Sequence, residues 1–236
     1  MKPLENRSEG DVDRKVMEKF FPGVTSGVFV DVGAANPDYL SISALYRKIG
    51  WNVLAIEPNP KFCEMYRQKG FTVFPYACGD HDEDDVEFCL VDSHGAAYEN
   101  GQVSYESFSS LSIKDSYRAL KPDLDISKIR VQLRRLDTIL QTEAPELTHI
   151  DVLSVDTEGW ELEVMRGLNL RKYQPRVVIL ENLLNSREYH TFMRQNGYYL
   201  WQALPPNDVY VRWTSLIEYF KNFFFASTRT ASALSR

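Results

Sequence analysis

Asp31 and Glu57 are the first residues whose type and spacing could do chemistry. Asp31 stands near the end of the apolar run VFVDV at 28–32, Glu57 follows WNVLAI at 51–56, and the two are 26 positions apart. An acid at the end of a second strand can accept hydrogen bonds from both hydroxyls of a ribose. Its charge disfavours a 2′-phosphate. Between the acids lies Gly33-Ala34-Ala35-Asn36, a turn of small residues whose backbone N–H groups can approach a ligand closely. The turn has one glycine and is not GxGxxG, so by itself it is equally a plain strand-to-helix turn. With the paired acids it predicts a bound nucleoside, held by Asp31, Gly33, Ala34, Ala35, Asn36, Glu57 and the neighbouring Pro58.

Three further strand ends carry polar groups. Cys78-Gly79-Asp80 follows the run FTVFPY at 71–76. Asp80 could meet a purine amino group, or be one more solvated charge in DHDEDD at 80–85. Asp156 ends HIDVLSVD at 149–156, with Glu158 and Glu161 close behind in TEGWE. A helix start welcomes acids, so Glu158 and Glu161 are also plausible as capping charges. Glu181-Asn182 ends RVVIL at 176–180. Asp156, Glu181 and Asn182 make an oxygen-rich set that could hold Mg2+, or a capping arrangement that orients Asp156. The candidate proton acceptors are Asp156, Glu158 and His190, the last standing nine residues past Glu181. His94 is a weaker candidate in an irregular stretch, and His149 lies at the wrong end of its strand.

The elements that must position these residues are short and alternate. Strands are expected at 28–32, 51–56, 71–76, 86–91, 129–133, 149–156 and 176–180. Helices are expected at 16–21, 41–49, 60–69, 136–141 (capped near Asp137), 158–168 and 186–195. Residues 198–203 and 209–213 flank Pro205-Pro206-Asn207-Asp208 and predict a closing antiparallel hairpin. Alternating strands and helices imply an α/β fold, a mostly parallel sheet with helices on both faces, whose ligand sits beyond the carboxyl ends of the strands. The expected organisation is a polar segment and helix over 1–27, the main domain over 28–214 and a tail over 215–236. Within the main domain, 92–125 is a lid or acceptor loop whose Tyr98, Tyr105 and Phe108 suit a sugar ring. The tail has an apolar stripe at Leu216, Ile217, Phe220 and Phe223–Phe225. It is expected to pack on the domain, form a homodimer contact, or touch a membrane surface peripherally.

Composition narrows the class. The 236 residues carry a net charge of −6, which argues against a nucleic-acid partner. Cys63, Cys78 and Cys89 have no zinc-type spacing and suit free thiols in a reducing cytoplasm. No apolar signal segment opens the chain, and no run approaches the roughly 18 apolar residues of a membrane span.

The motifs in combination resemble the FkbM family of methyltransferases. The matching segments are FVDVGAANPDYLS at 29–41, VLAIEPNP at 53–60, ACGDHDED at 77–84, SSLS at 109–112, RRLDTIL at 134–140, IDVLSVDTEGWELEVMRGL at 150–168 and VVILEN at 177–182. The resemblance implies a Rossmann-like class I methyltransferase fold, S-adenosylmethionine as donor and a sugar, glycan or polyketide-type hydroxyl as acceptor. It would put the donor's amino acid end near residues 31–36, its ribose on Glu57 and the reacting centre near Asp156. Two departures stand out. The first motif reads GAANPDY where the family more often has GAN, a small residue and Gly, and Ser154 stands where members often carry Lys. The competing readings are an NAD-linked oxidoreductase or epimerase using the same ribose acid, and a non-catalytic protein that binds S-adenosylmethionine.

Overall fold

The computed structural model describes residues 8–92, 97–98, 103–112 and 125–213. The strands are β1 (Val28–Val32), β2 (Asn52–Ile56), β3 (Val73–Phe74), β4 (Ala77–Gly79), β5 (Glu83–Asp92), β6 (Ala97–Tyr98), β7 (Val103–Ser104), β8 (Asp125–Arg135), β9 (Val152–Val155), β10 (Val177–Glu181), β11 (Tyr198–Leu204) and β12 (Asn207–Arg212). The helices are α1 (Val12–Phe20), α2 (Ala44–Lys48), α3 (Pro60–Gln68), α4 (Leu136–Glu143), α5 (Glu161–Arg166), α6 (Leu170–Tyr173) and α7 (Arg187–Gln195).

The runs VFVDV, NVLAI, VLSV and VVILE are β-branched or aliphatic almost throughout, as strands covered on both faces must be. They form the parallel centre of a seven-stranded sheet in the order β11-β12-β10-β9-β1-β2-β3. The expected C-terminal hairpin is its antiparallel edge, with β12 paired to β10 and β11 to β12.

Side-chain alternation divides the core between the two faces. Val30, Val32, Leu54, Ile56, Leu153 and Val155 pack with α4, α5 and Met193 of α7. Phe29, Val53, Val152, Val177 and Ile179 pack with Val12, Val16 and Phe20 of α1 and with Tyr46 of α2. β1 has β2 on one side and β9 on the other. The chain order reverses there, and a crevice opens at the carboxyl ends of β1 and β9.

Two expected strands differ from observation. The run 71–76 forms only the two-residue β3, because Pro75 offers no N–H to continue the ladder. Beyond it, β4 joins a separate three-stranded sheet in the order β4-β8-β5. Likewise 86–91 and 129–133 are the middles of β5 and β8, a long antiparallel pair with charged flanks. Gly167 lets this small sheet close on the main body: a Cβ there would lie 2.1 Å from the carbonyl oxygen of Gly79. No helix among the described residues is long and apolar enough to cross a membrane.

Candidate active site

At the β1/β9 crevice the backbone is packed to its limit. Gly33 has φ +74°, and a Cβ on it would sit 1.7 Å from the carbonyl oxygen of Asp156. Its N–H donates to the Ile56 carbonyl at 2.9 Å, and Asp156 N–H donates to the Val32 carbonyl at 3.0 Å. Three strand ends therefore meet around one glycine, and the carboxylates that follow β2 and β9 are brought to one pocket. That pocket encloses about 490 Å3 of empty space, counted out to its open mouth.

Glu57 forms part of the pocket wall and is 5% exposed. Its Oε2 accepts from Ala35 N–H at 2.8 Å and its Oε1 from Asn59 N–H at 2.7 Å. Each carboxylate oxygen has two acceptor sites, so these bonds fix the group and leave one site on each oxygen. Burial pushes its pKa up from 4.5 to about 7; the two backbone N–H groups pull it down, and nearby Asp31 adds a smaller push upward. Gly33, Ala35, Pro58 and Cys78 also line the pocket. Burial raises the Cys78 thiol well above its ordinary range, which favours the neutral thiol.

Other expected contacts lie elsewhere. Asp31 shares the α1/α2 face of β1 with Phe29, where its carboxylate accepts from Ser43 Oγ. Burial raises its pKa, opposed by that hydroxyl and by the Arg47 charge. Arg47 in turn donates to Ser43 Oγ at 2.6 Å and to the Pro37 carbonyl at 2.8 Å. Asp31 thus ties down α2 and the turn at Pro37. Ala34 packs between Ala55 and Tyr66. Asn36 Oδ1 accepts from the N–H groups of Asp38 and Tyr39, holding a local turn. Asp80 is exposed and bonds to His81 at 2.7 Å. None of these four side chains lines the pocket.

The acids after β9 and β10 divide in the same way. Asp156 lines the pocket, and so do Thr157 and Trp160. Glu158 is 8% exposed and sits outside the lining, in a left-handed turn with φ 57°. Glu161 is fully buried; its Oε1 accepts from Thr157 N–H at 2.9 Å, Thr157 Oγ1 at 3.3 Å and Gly159 N–H at 2.9 Å. Its Oε2 accepts from Tyr189 Oη at 2.5 Å. Glu161 is therefore a strut that shapes the loop presenting Asp156 and Thr157. Asp156, Glu161 and Glu181 have carboxylate oxygens within 4.8 Å of one another. Asn182 stands apart from them: its amide donates to Asp208 Oδ2 at 2.7 Å and accepts from Ser186 N–H at 2.7 Å. The set expected for Mg2+ is thus not the one the fold assembles, and Glu161, which replaces Asn182, is committed to four donors.

His190 belongs to a different cluster. Its Nδ1 lies 2.9 Å from Tyr210 Oη and 3.9 Å from Asp208 Oδ2, against β12. Of the three candidate proton acceptors, only Asp156 reaches the pocket wall. His149 lies 3.7 Å from Asp151, at the opposite end of β9. His94, the side chains of Tyr98 and Tyr105, and the tail 215–236 lie outside the described residues.

Sequence reasoning left several lining groups unassigned. Phe62 and Phe88 are apolar walls, and Ser109, Ser110 and Leu111 come from the segment before β8. The serines and Trp160 stand inside the motifs SSLS and DTEGW, so their positions were visible but their direction was not.

The family model for the methyltransferase FkbM domain matches residues 31–200. A crystal structure of a methyltransferase FkbM from Methylobacillus flagellatus KT is similar with a TM-score of 0.47 and 13% identity, over 87% of this chain and 48% of that one. The chain therefore spans about half the length of that structural relative. No curated protein matches it.

Proposed function

The chain belongs to the FkbM methyltransferase family, and from that premise we propose that it is an S-adenosylmethionine-dependent O-methyltransferase acting on a hydroxyl of a sugar, glycan or polyketide-type acceptor. The observation that carries this reading is Glu57. Its carboxylate is buried in the pocket wall, fixed by two backbone N–H groups, with an acceptor site left on each oxygen. That donor-acceptor pattern fits the two hydroxyls of a ribose. The apolar walls Phe62, Cys78 and Phe88 fit a purine, and the turn at Gly33 and Ala35 fits the amino acid end of the donor. When bound, the donor supplies a methyl group on a sulfonium sulfur and leaves as a neutral thioether.

The chain's own groups have two tasks. They must hold the acceptor oxygen in line with the methyl group and take its proton. Asp156 can do the second: it lines the pocket, and the Glu161 strut fixes the loop that carries it. The acceptor O–H bond breaks toward the Asp156 carboxylate as the oxygen–methyl bond forms. Trp160 and Thr157, beside Asp156 in the pocket wall, then border the acceptor.

Glu57 gives the reading a pH test. Because its pKa is raised in the folded chain, its contribution to folding stability is full below 4.5 and is lost as pH rises through about 7. Ligand binding has the opposite sign, since ribose hydroxyls donate to the ionised carboxylate. Calorimetric titration with S-adenosylhomocysteine should show affinity levelling off above about pH 7 and falling by roughly tenfold per unit below it. Glu57→Gln should bind more weakly and lose the pH dependence. A flat profile in the native protein, or native affinity in the variant, would reject the ribose assignment.

A further inference from the structure

Residues 107–112 run antiparallel along the β5 edge of the small sheet and line one side of the pocket. Ser110 exchanges backbone hydrogen bonds with Cys89 of β5, at 2.9 and 3.0 Å. Ser109 Oγ accepts from Val91 N–H at 3.0 Å. At the far end the Ser112 carbonyl accepts from Trp160 Nε1 at 3.2 Å, tying this strap to the loop that carries Asp156. The strap is thus fixed on two sides, and its backbone decides where the Ser110 side chain goes.

Ser110 is 3% exposed and is one of the residues that line the pocket. Its Oγ has no hydrogen-bond partner among the described residues. Two residues that line the pocket with it, Phe88 and Ala77, share one buried apolar cluster, with Leu111 packed against it. A buried hydroxyl with no partner is unfavourable, and native structures rarely retain one without a use. Ala77, Cys78 and Phe88 are apolar residues of the same pocket wall, while Glu57 supplies the acid.

We propose that Ser110 is a ligand-contacting residue, and that its hydroxyl recognises the purine edge of the bound nucleoside. A hydroxyl can donate or accept, and a purine edge offers both kinds of partner. The apolar walls take the faces of the ring, Glu57 takes the ribose, and Ser110 supplies the polar contact that fixes the ring's orientation. This inference rests on the S-adenosylmethionine reading of the pocket.

The test is calorimetric titration of the native protein and Ser110→Ala with two probes, S-adenosylhomocysteine and 5′-methylthioadenosine. The second probe keeps the nucleoside and lacks the amino acid end. Ser110→Ala should weaken both probes by the same factor, about five- to tenfold for one lost hydrogen bond. Its ligand-free Tm should equal or exceed the native value, because the removed hydroxyl satisfies nothing in the fold. Unchanged affinity for both probes would overturn the inference. So would a loss confined to S-adenosylhomocysteine, which would put the contact at the amino acid end. A lowered ligand-free Tm would make Ser110 a structural group and overturn it as well. If the native protein binds neither probe, the cofactor reading falls and this inference falls with it. Native binding without an effect of Ser110→Ala rejects only the inference.

Discussion

Gly33→Ala is expected to lower Tm by roughly 10 °C and to abolish nucleoside binding, corresponding to about 3–5 kcal/mol at this chain length. The left-handed backbone at Gly33 alone would cost a side chain about 1–2 kcal/mol. The larger part is steric. The new Cβ would overlap the Asp156 carbonyl oxygen at 1.7 Å, and that neighbour is backbone, not the end of a flexible side chain. Relief requires β1 and β9 to part at their carboxyl ends. That movement would break the bond from Asp156 N–H to the Val32 carbonyl and shift Ala35 away from Glu57. A thermal melt and a titration on the same sample check both effects. A variant that melts like the native protein and still binds would show that the three strand ends do not meet as described.

Asp156→Asn should act on turnover alone. The amide keeps the size and shape of the carboxylate but cannot take a proton. We expect kcat to fall by about 10²- to 10⁴-fold, the range of a lost general base. Affinity for S-adenosylhomocysteine should stay within about twofold of native, because the proposed ribose contact is with Glu57 and the change is isosteric. The measurement is S-adenosylhomocysteine release with a hydroxylated acceptor that the native protein methylates. Native turnover by the variant would remove Asp156 from the proton transfer and reopen the search for the base.

Much of this arrangement was legible in the sequence, for identifiable reasons. The central strands are uninterrupted apolar runs, and Glu57 and Asp156 follow two of them directly, so their place at the carboxyl ends required only the parallel sheet. Asp31 was different. It sits inside its strand, and alternation from Phe29 puts it on the α1/α2 face, where Ser43 and Arg47 engage it. Its acidity suggested a ligand contact, whereas its register gives it a structural partner.

Long-range pairing accounts for the rest. Nothing near Ala77–Gly79 names β8 as its partner, more than fifty residues later. The acids of DHDEDD looked like a solvated turn, yet several meet basic residues of β8, as Asp84 meets Arg134 and Asp82 meets Arg135. Glu161 resembled a helix-capping charge. Its fourth donor, Tyr189, comes from α7, and only the fold brings the two together. His190 was plausible by its distance from Glu181 along the chain, but α7 turns it toward Tyr210 and Asp208.

The central claim is that the pocket between β1, β2 and β9 binds the nucleoside of a methyl donor. The most direct measurement is the melting temperature of the native protein with S-adenosylhomocysteine and, separately, with NAD. At a hundredfold excess over Kd a specific ligand stabilises by about 2.7 kcal/mol, enough to raise Tm by roughly 5–10 °C. The account predicts that rise with S-adenosylhomocysteine and none with NAD. Stabilisation by NAD with no response to S-adenosylhomocysteine would contradict it.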